Sequence, residues 1–213
     1  MVTSSSPAER LSPGPEARAA LAVDSEATPA ELTVAVIGSA RLSPPDPRCM
    51  LAEQIGEGIA AMGWTIMTGG YGGLMAVASR AAAEAGGKVI GLPMTGWTEL
   101  QPNESSHELR WSDTYPERLA HLLAADAVVV LDGGIGTLSE AAVVWAALQT
   151  EPGAADLIFL GAGWAPVLAS LATHLVINER DLALVTICTD AQLAVAHISQ
   201  NRPRRHRTAS PRG

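Results

Sequence analysis

A lone carboxylate follows a glycine-rich turn in the run Asp132-Gly-Gly-Ile-Gly-Thr-Leu-Ser-Glu140. Gly133, Gly134 and Gly136 let the main chain approach a ligand closely. A helix that begins there points unpaired amides, and the positive end of its dipole, at whatever sits in front of it. That suits a phosphate. Thr137 can add a hydroxyl to such a phosphate or simply cap the helix. Glu140 lies four residues after Gly136, hence on the same helical face. A carboxylate beside an anion site is electrostatically costly, which points to chemistry next to the phosphate rather than phosphate holding alone. The alternative is a structural turn with an exposed glutamate.

Arg118 is the candidate counter-charge. Thr114-Tyr-Pro-Glu117 reads as a capping box with an early proline, so a helix starts there and Arg118 falls in its first turns. A cation in that place opposes the helix dipole at a cost of about 0.3–1 kcal/mol, which an anionic partner removes. A surface pairing with Glu117 or Asp113 would serve equally. Two more glycine turns qualify as nucleotide contacts: Gly38-Ser39, and Gly69-Gly70-Tyr71-Gly72-Gly73. Trp97 and Trp111 flank a long polar segment and either cover a base or pack on the sheet edge. His107 and His121 read as polar surface residues. His174 and His197 read as helix residues away from the site.

The elements that position these residues alternate. Apolar, β-branched runs mark strands at 33–37, 64–68, 88–92, 126–131, 155–160 and 183–188. Helical periodicity marks 48–62, a stretch after Gly73 to Ala85, 114 onward, 135–149, 164–176 and 190–199. Residues 93–112 are expected to be a long loop. Strand–helix alternation of this kind implies an α/β fold, with a parallel sheet covered on both faces. Ligands in such sheets sit beyond the carboxyl ends of the strands, where all three glycine turns fall.

Composition narrows the function. The 213 residues suit one domain, 31–200, with a Ser/Pro/Ala-rich tail at 1–30 and a basic tail at 201–213, both expected to be disordered. The net charge of −8 and only 4% aromatics argue against nucleic-acid binding by the folded part. Cys49 and Cys188 show no metal or redox spacing and read as buried thiols. No metal site is expected. No segment suits a membrane span, and a cytoplasmic protein is expected. Neither glycine turn is the dinucleotide fingerprint and there is no Walker motif, so no bound cofactor is expected.

Gly69-Gly70-Tyr-Gly72-Gly73-Leu-Met75, then Glu117-Arg118, then Gly133-Gly134-Ile-Gly136-Thr137-Leu-Ser-Glu140, resembles the LOG ("Lonely Guy") family of cytokinin-activating phosphoribohydrolases. The similarity runs over about residues 32–198. It implies a Rossmann-like, doubly wound parallel sheet in a single domain, and a homodimer or higher oligomer. It also implies hydrolysis of a nucleoside 5′-monophosphate to free base and ribose 5-phosphate. Arg118 and Glu140 would be the catalytic pair and the 133–137 turn the phosphate holder. Three departures stand out: Asp132 where the family often has Pro, a shorter first glycine motif ending in Ala76, and Leu119 where many members have Lys. These are similar to the molybdenum-cofactor-carrier-like branch, which implies a non-catalytic binding protein as the alternative. The family's older naming as lysine decarboxylases would require pyridoxal phosphate on a lysine. The only lysine, Lys88, is expected at a strand start, away from the crevice.

Overall fold

The computed structural model describes residues 31–201; the expected tails lie outside the described residues, except that Asn201, expected to open the second tail, ends the last helix. Seven parallel strands form one sheet in the order β4-β3-β2-β1-β5-β6-β7, a single Rossmann-like α/β domain. The strands are β1 (Thr33–Ile37), β2 (Thr65–Thr68), β3 (Val89–Gly91), β4 (Glu108–Leu109), β5 (Ala127–Val130), β6 (Asp156–Leu160) and β7 (Val185–Cys188). The helices are α1 (Cys49–Ala61), α2 (Leu74–Glu84), α3 (Tyr115–Leu123), α4 (Ile135–Thr150), α5 (Trp164–His174), α6 (Glu179–Leu182) and α7 (Ala191–Asn201).

Alternation along the strands divides the core in two. Val34 and Val36 of β1, Ile66 of β2 and Val129 of β5 face α1, α2 and α7. Ala35 and Ile37, Met67, Val128 and Val130 face α3, α4 and α5. Successive residues of a strand point to opposite faces, so a run apolar on both parities must be buried on both. α1 and α2 pack very closely, because a Cβ on Gly56 would strike the Ala78 backbone.

β1 pairs with β2 on one side and β5 on the other, in registers Val34↔Ile66 and Val34↔Ala127. The chain therefore builds outward from β1 to β4, then returns to build the other half from β5. A crevice opens at the carboxyl ends where that direction reverses.

Two elements escape the sequence pattern. The segment 93–112 is not all loop: it contains β4, paired with β3 through Ile90↔Glu108, and a bridge between Met94 and Ser112. Two residues are too few to show alternation, and this edge strand carries charge. The four-residue α6 rests on a capping box between Asn178 and Asp181. At α3, Thr114 Oγ1 accepts from the Glu117 amide at 3.3 Å, but the Glu117 carboxylate reaches back to the Asp113 amide at 2.9 Å, one residue before the cap. Lys88 lies at the amino end of β3 and pairs with Glu108 at 3.5 Å. Cys49 and Cys188 are buried and free, and burial raises both thiols above their ordinary value.

Candidate functional site

A cavity of about 590 Å³ occupies the crevice between the ends of β1 and β5. That is the size class of small-molecule sites. Its floor is made from the turn after β1, with Gly38 and Ser39, and the turn after β5, with Gly133 and Gly134. The two turns are joined: the Ser39 amide donates to the Asp132 carbonyl at 3.0 Å. The Ser39 carbonyl in turn accepts from the Leu74 amide at 2.9 Å, which ties in the start of α2. Gly73 makes this junction possible. Its φ is +70° with ψ −145°, and a Cβ there would lie 2.5 Å from the Ala40 carbonyl carbon. Only glycine takes that conformation without strain.

One wall is an ion pair. Arg118 is 4% exposed and its Nη1 donates to Glu140 Oε1; the Glu140 side chain is 9% exposed. Arg118 Nε also donates to the Leu92 carbonyl at 2.9 Å, and its guanidinium lies 5.7 Å from the Trp97 ring centroid. A surface pairing of Arg118 with Glu117 or Asp113 is therefore not what forms. Gly69 sits beneath, because a Cβ there would come within 2.5 Å of Arg118 Nη2. Two charges are thus taken out of water together, which is costly unless geometry and added hydrogen bonds compensate. The Leu92 carbonyl is one such bond. Among the described residues Glu140 Oε2 makes no hydrogen bond, and Glu140 lines the cavity.

The facing wall is the start of α4. Gly134 is the N-cap, and no side chain caps this helix. The first-turn amides therefore lack a capping partner at the cavity wall, which Ile135, Gly136 and Thr137 all share. A Cβ on Gly134 or Gly136 would meet nothing within 4 Å, whereas one on Gly133 would collide with the Thr137 side chain. Packing explains Gly133 and leaves Gly134 and Gly136 without a structural reason.

The outer wall comes from the segment after β3. Trp97 stacks at 5.6 Å on Tyr71, and both line the cavity with Leu100. The segment is fastened to the second glycine turn: Met94 N donates to the Tyr71 hydroxyl at 2.7 Å, and Asn103 N donates to the Gly70 carbonyl at 2.7 Å. Trp111 is exposed and outside the wall. Of the second turn only Tyr71 and Gly72 reach the cavity; Gly69, Gly70 and Gly73 do not line it. Such an arrangement can hold a phosphate at the α4 amides, a sugar before the carboxylate, and an aromatic ring against Trp97.

Residues 31–150 match the model of the SLOG cluster4 family. The chain belongs to that family. Two curated relatives are named cytokinin riboside 5′-monophosphate phosphoribohydrolase. The one from Mycobacterium tuberculosis is 36% identical over 99 residues, 45% of this chain and 52% of that protein. The one from Mycobacterium marinum is 37% identical over 122 residues, 55% of this chain and 64% of that protein. The chain thus spans less than two thirds of each curated relative. In fold it is similar to the molybdenum cofactor binding protein from the phototrophic bacterium Rippkaea orientalis. The TM-score is 0.66 and the identity 22%, over 80% of this chain and 96% of that one.

This SLOG-family site includes residues that motif spacing did not single out. Arg41, Arg48 and Tyr115 line the cavity. Tyr115 shares a hydrogen bond of 2.8 Å with Ser139, one residue before Glu140. Arg41 and Arg48 lie in the polar stretch after β1, which shows no period. Asp132 does not line the cavity. Its Oδ1 lies 3.7 Å from where a Gly163 Cβ would stand, at the N-terminus of α5. A carboxylate is electrostatically favoured there. His107, His121, His174 and His197 are all outside the cavity wall. Among the described residues no cluster suits a metal ion, and no helix is long and apolar enough to cross a membrane.

Proposed function

We propose that this protein hydrolyses the N-glycosidic bond of a nucleoside 5′-monophosphate, giving the free base and ribose 5-phosphate. The observation that carries the reading is the buried Arg118–Glu140 pair, opening on a cavity beside an uncapped helix start. The names of the two curated relatives support the same reaction class.

Cleavage of a ribosyl–base bond passes through an oxocarbenium-like transition state, as in glycoside hydrolysis. The bond between C1′ and the base nitrogen breaks with its electron pair going to the base. A water oxygen bonds to C1′, and the base takes up a proton. Glu140 Oε2 supplies negative charge beside the developing cation and orients the water. Arg118 holds the carboxylate through Oε1 and fixes its direction. The amides of Ile135, Gly136 and Thr137 hold the 5′-phosphate, so remote binding energy positions the reacting carbon. Trp97 offers its face to the base.

The test is incubation with AMP, GMP, CMP, UMP, IMP and N6-isopentenyl-AMP beside the matching nucleosides, with products separated by chromatography. Base release from monophosphates, with nucleosides left intact, is expected. Glu140→Gln, nearly isosteric, should abolish release while retaining ribose 5-phosphate binding. Unchanged turnover in that variant removes the mechanism. Ligand retained through purification, with no base released from any substrate, would overturn hydrolysis in favour of a nucleotide or cofactor carrier.

A further inference from the structure

Two arginines in the cavity wall, Arg41 and Arg48, have no part in the cleavage described above, and among the described residues only Arg48 is paired with a carboxylate. Arg48 is closed off by Asp46: Nε donates to Oδ1 at 2.9 Å and Nη2 to Oδ2 at 2.7 Å. Those bonds lower the Asp46 carboxyl to about 2, so Arg48 brings almost no net charge to the cavity at neutral pH. The Arg41 guanidinium makes no hydrogen bond or ion pair among the described residues. The backbone that carries it is held in place. The Arg41 amide donates to Ser39 Oγ at 3.1 Å, and the Ser39 amide is bonded to the Asp132 carbonyl ahead of α4.

A helix N-terminus is equivalent to roughly +0.5. Arg41 lines the same cavity as the first turn of α4, and together they bring about +1.5, which matches the −1.5 to −2 of a phosphate monoester at pH 7. A diester carries one negative charge and would leave Arg41 partly unmatched. Glu140 is offset by Arg118 in the same cavity, so that pair adds almost no net charge.

We infer that Arg41 is the specificity residue that selects a terminal phosphate monoester at this site; the inference rests on the nucleotide-binding reading of the cavity. Arg41 is exposed, so its replacement leaves the core untouched. The experiment is calorimetric titration of ribose 5-phosphate, and of its phosphate methyl ester, into wild type and Arg41→Gln at pH 5 and pH 8. The second ionisation of a phosphate monoester falls near about pH 6. Wild type should bind ribose 5-phosphate more tightly at pH 8 than at pH 5. Arg41→Gln should lose roughly 10- to 100-fold at pH 8, less at pH 5, and so flatten the pH dependence. The methyl ester, singly charged at both pH values, should bind the two proteins within a few fold of each other.

Equal affinity of both proteins for ribose 5-phosphate at pH 8, or an equal loss for ester and monoester, overturns the inference. This outcome is separable from base release. Release of base with no Arg41 effect removes only the specificity role. An Arg41 effect with no release removes hydrolysis and keeps the monoester site. No binding of ribose 5-phosphate by either protein overturns both.

Discussion

Replacing Gly136 with alanine should make the protein more stable and less competent. Gly136 lies in the first turn of α4, a helix of sixteen residues, and a Cβ on it would meet no atom within 4 Å. Its φ is not among the positive ones, so alanine fits the backbone. Glycine in a helix costs about 0.5–1 kcal/mol relative to alanine. In a domain of this size each kcal/mol moves the melting temperature by about 2–4 °C, so Gly136→Ala should melt about 1–4 °C higher. The same methyl group would stand on the cavity wall in front of the α4 amides. Loss of one hydrogen bond to a charged group costs about 1.5–3 kcal/mol, or roughly 10- to 150-fold in affinity. Thermal melting and titration of ribose 5-phosphate measure both sides on one sample. A lower melting temperature would mean that protein atoms already need that space. A higher one with unchanged affinity would mean that α4 does not hold the phosphate.

Other variants probe the scaffold. Gly73→Ala forces a side chain into a backbone region at φ +70°, worth about 1–3 kcal/mol of strain, and against the Ala40 main chain, worth a further 1–3 kcal/mol or so. Denaturant unfolding should show a loss of about 2–6 kcal/mol, and a loss below 1 kcal/mol would contradict the close approach. Asp156 is partly buried, and desolvation raises its carboxyl from its ordinary value, with His197 partly opposing. The folded state then holds that proton more tightly than the unfolded chain. Its stabilising contribution is present below the ordinary carboxyl range and is lost as pH rises through the folded value. Asp156→Asn should therefore raise the melting temperature at pH 7 and raise it less at pH 4; a fall at pH 7 would refute the assignment.

Long apolar runs were legible because burial on both sheet faces leaves a plain signature in residues such as Val128 to Val130. β4 was not legible, since pairing with the edge of β3 uses only backbone groups and tolerates Glu108. In the site, the glycine clusters and Glu140 were conspicuous by type and spacing. Spacing alone did not fix the partner of Arg118, since Glu117 and Asp113 lie nearby; the family resemblance joined it to Glu140, 22 residues later, and that is the carboxylate it meets in the core. Arg41 carries no local pattern at all. Its place depends on a long-range bond between the turns after β1 and β5, which no window of sequence contains. The second glycine turn misleads in the other direction. Gly69 and Gly73 serve close backbone and side-chain approaches instead of lining the cavity.

The Ser39 peptide links three elements: its amide is bonded to the turn after β5 and its carbonyl to the first amide of α2. The floor of the cavity is therefore one body, assembled when the sheet is assembled, and a ligand pays little ordering entropy there. Adaptation to ligands of different shape falls to the outer wall, where Trp97 and Leu100 are 40% and 48% exposed. On the proposed nucleotide-binding reading, affinity and adaptability would then fall to different residues: the fixed floor and the start of α4 would hold a common phosphate end, and the exposed outer wall would meet bases of different shape.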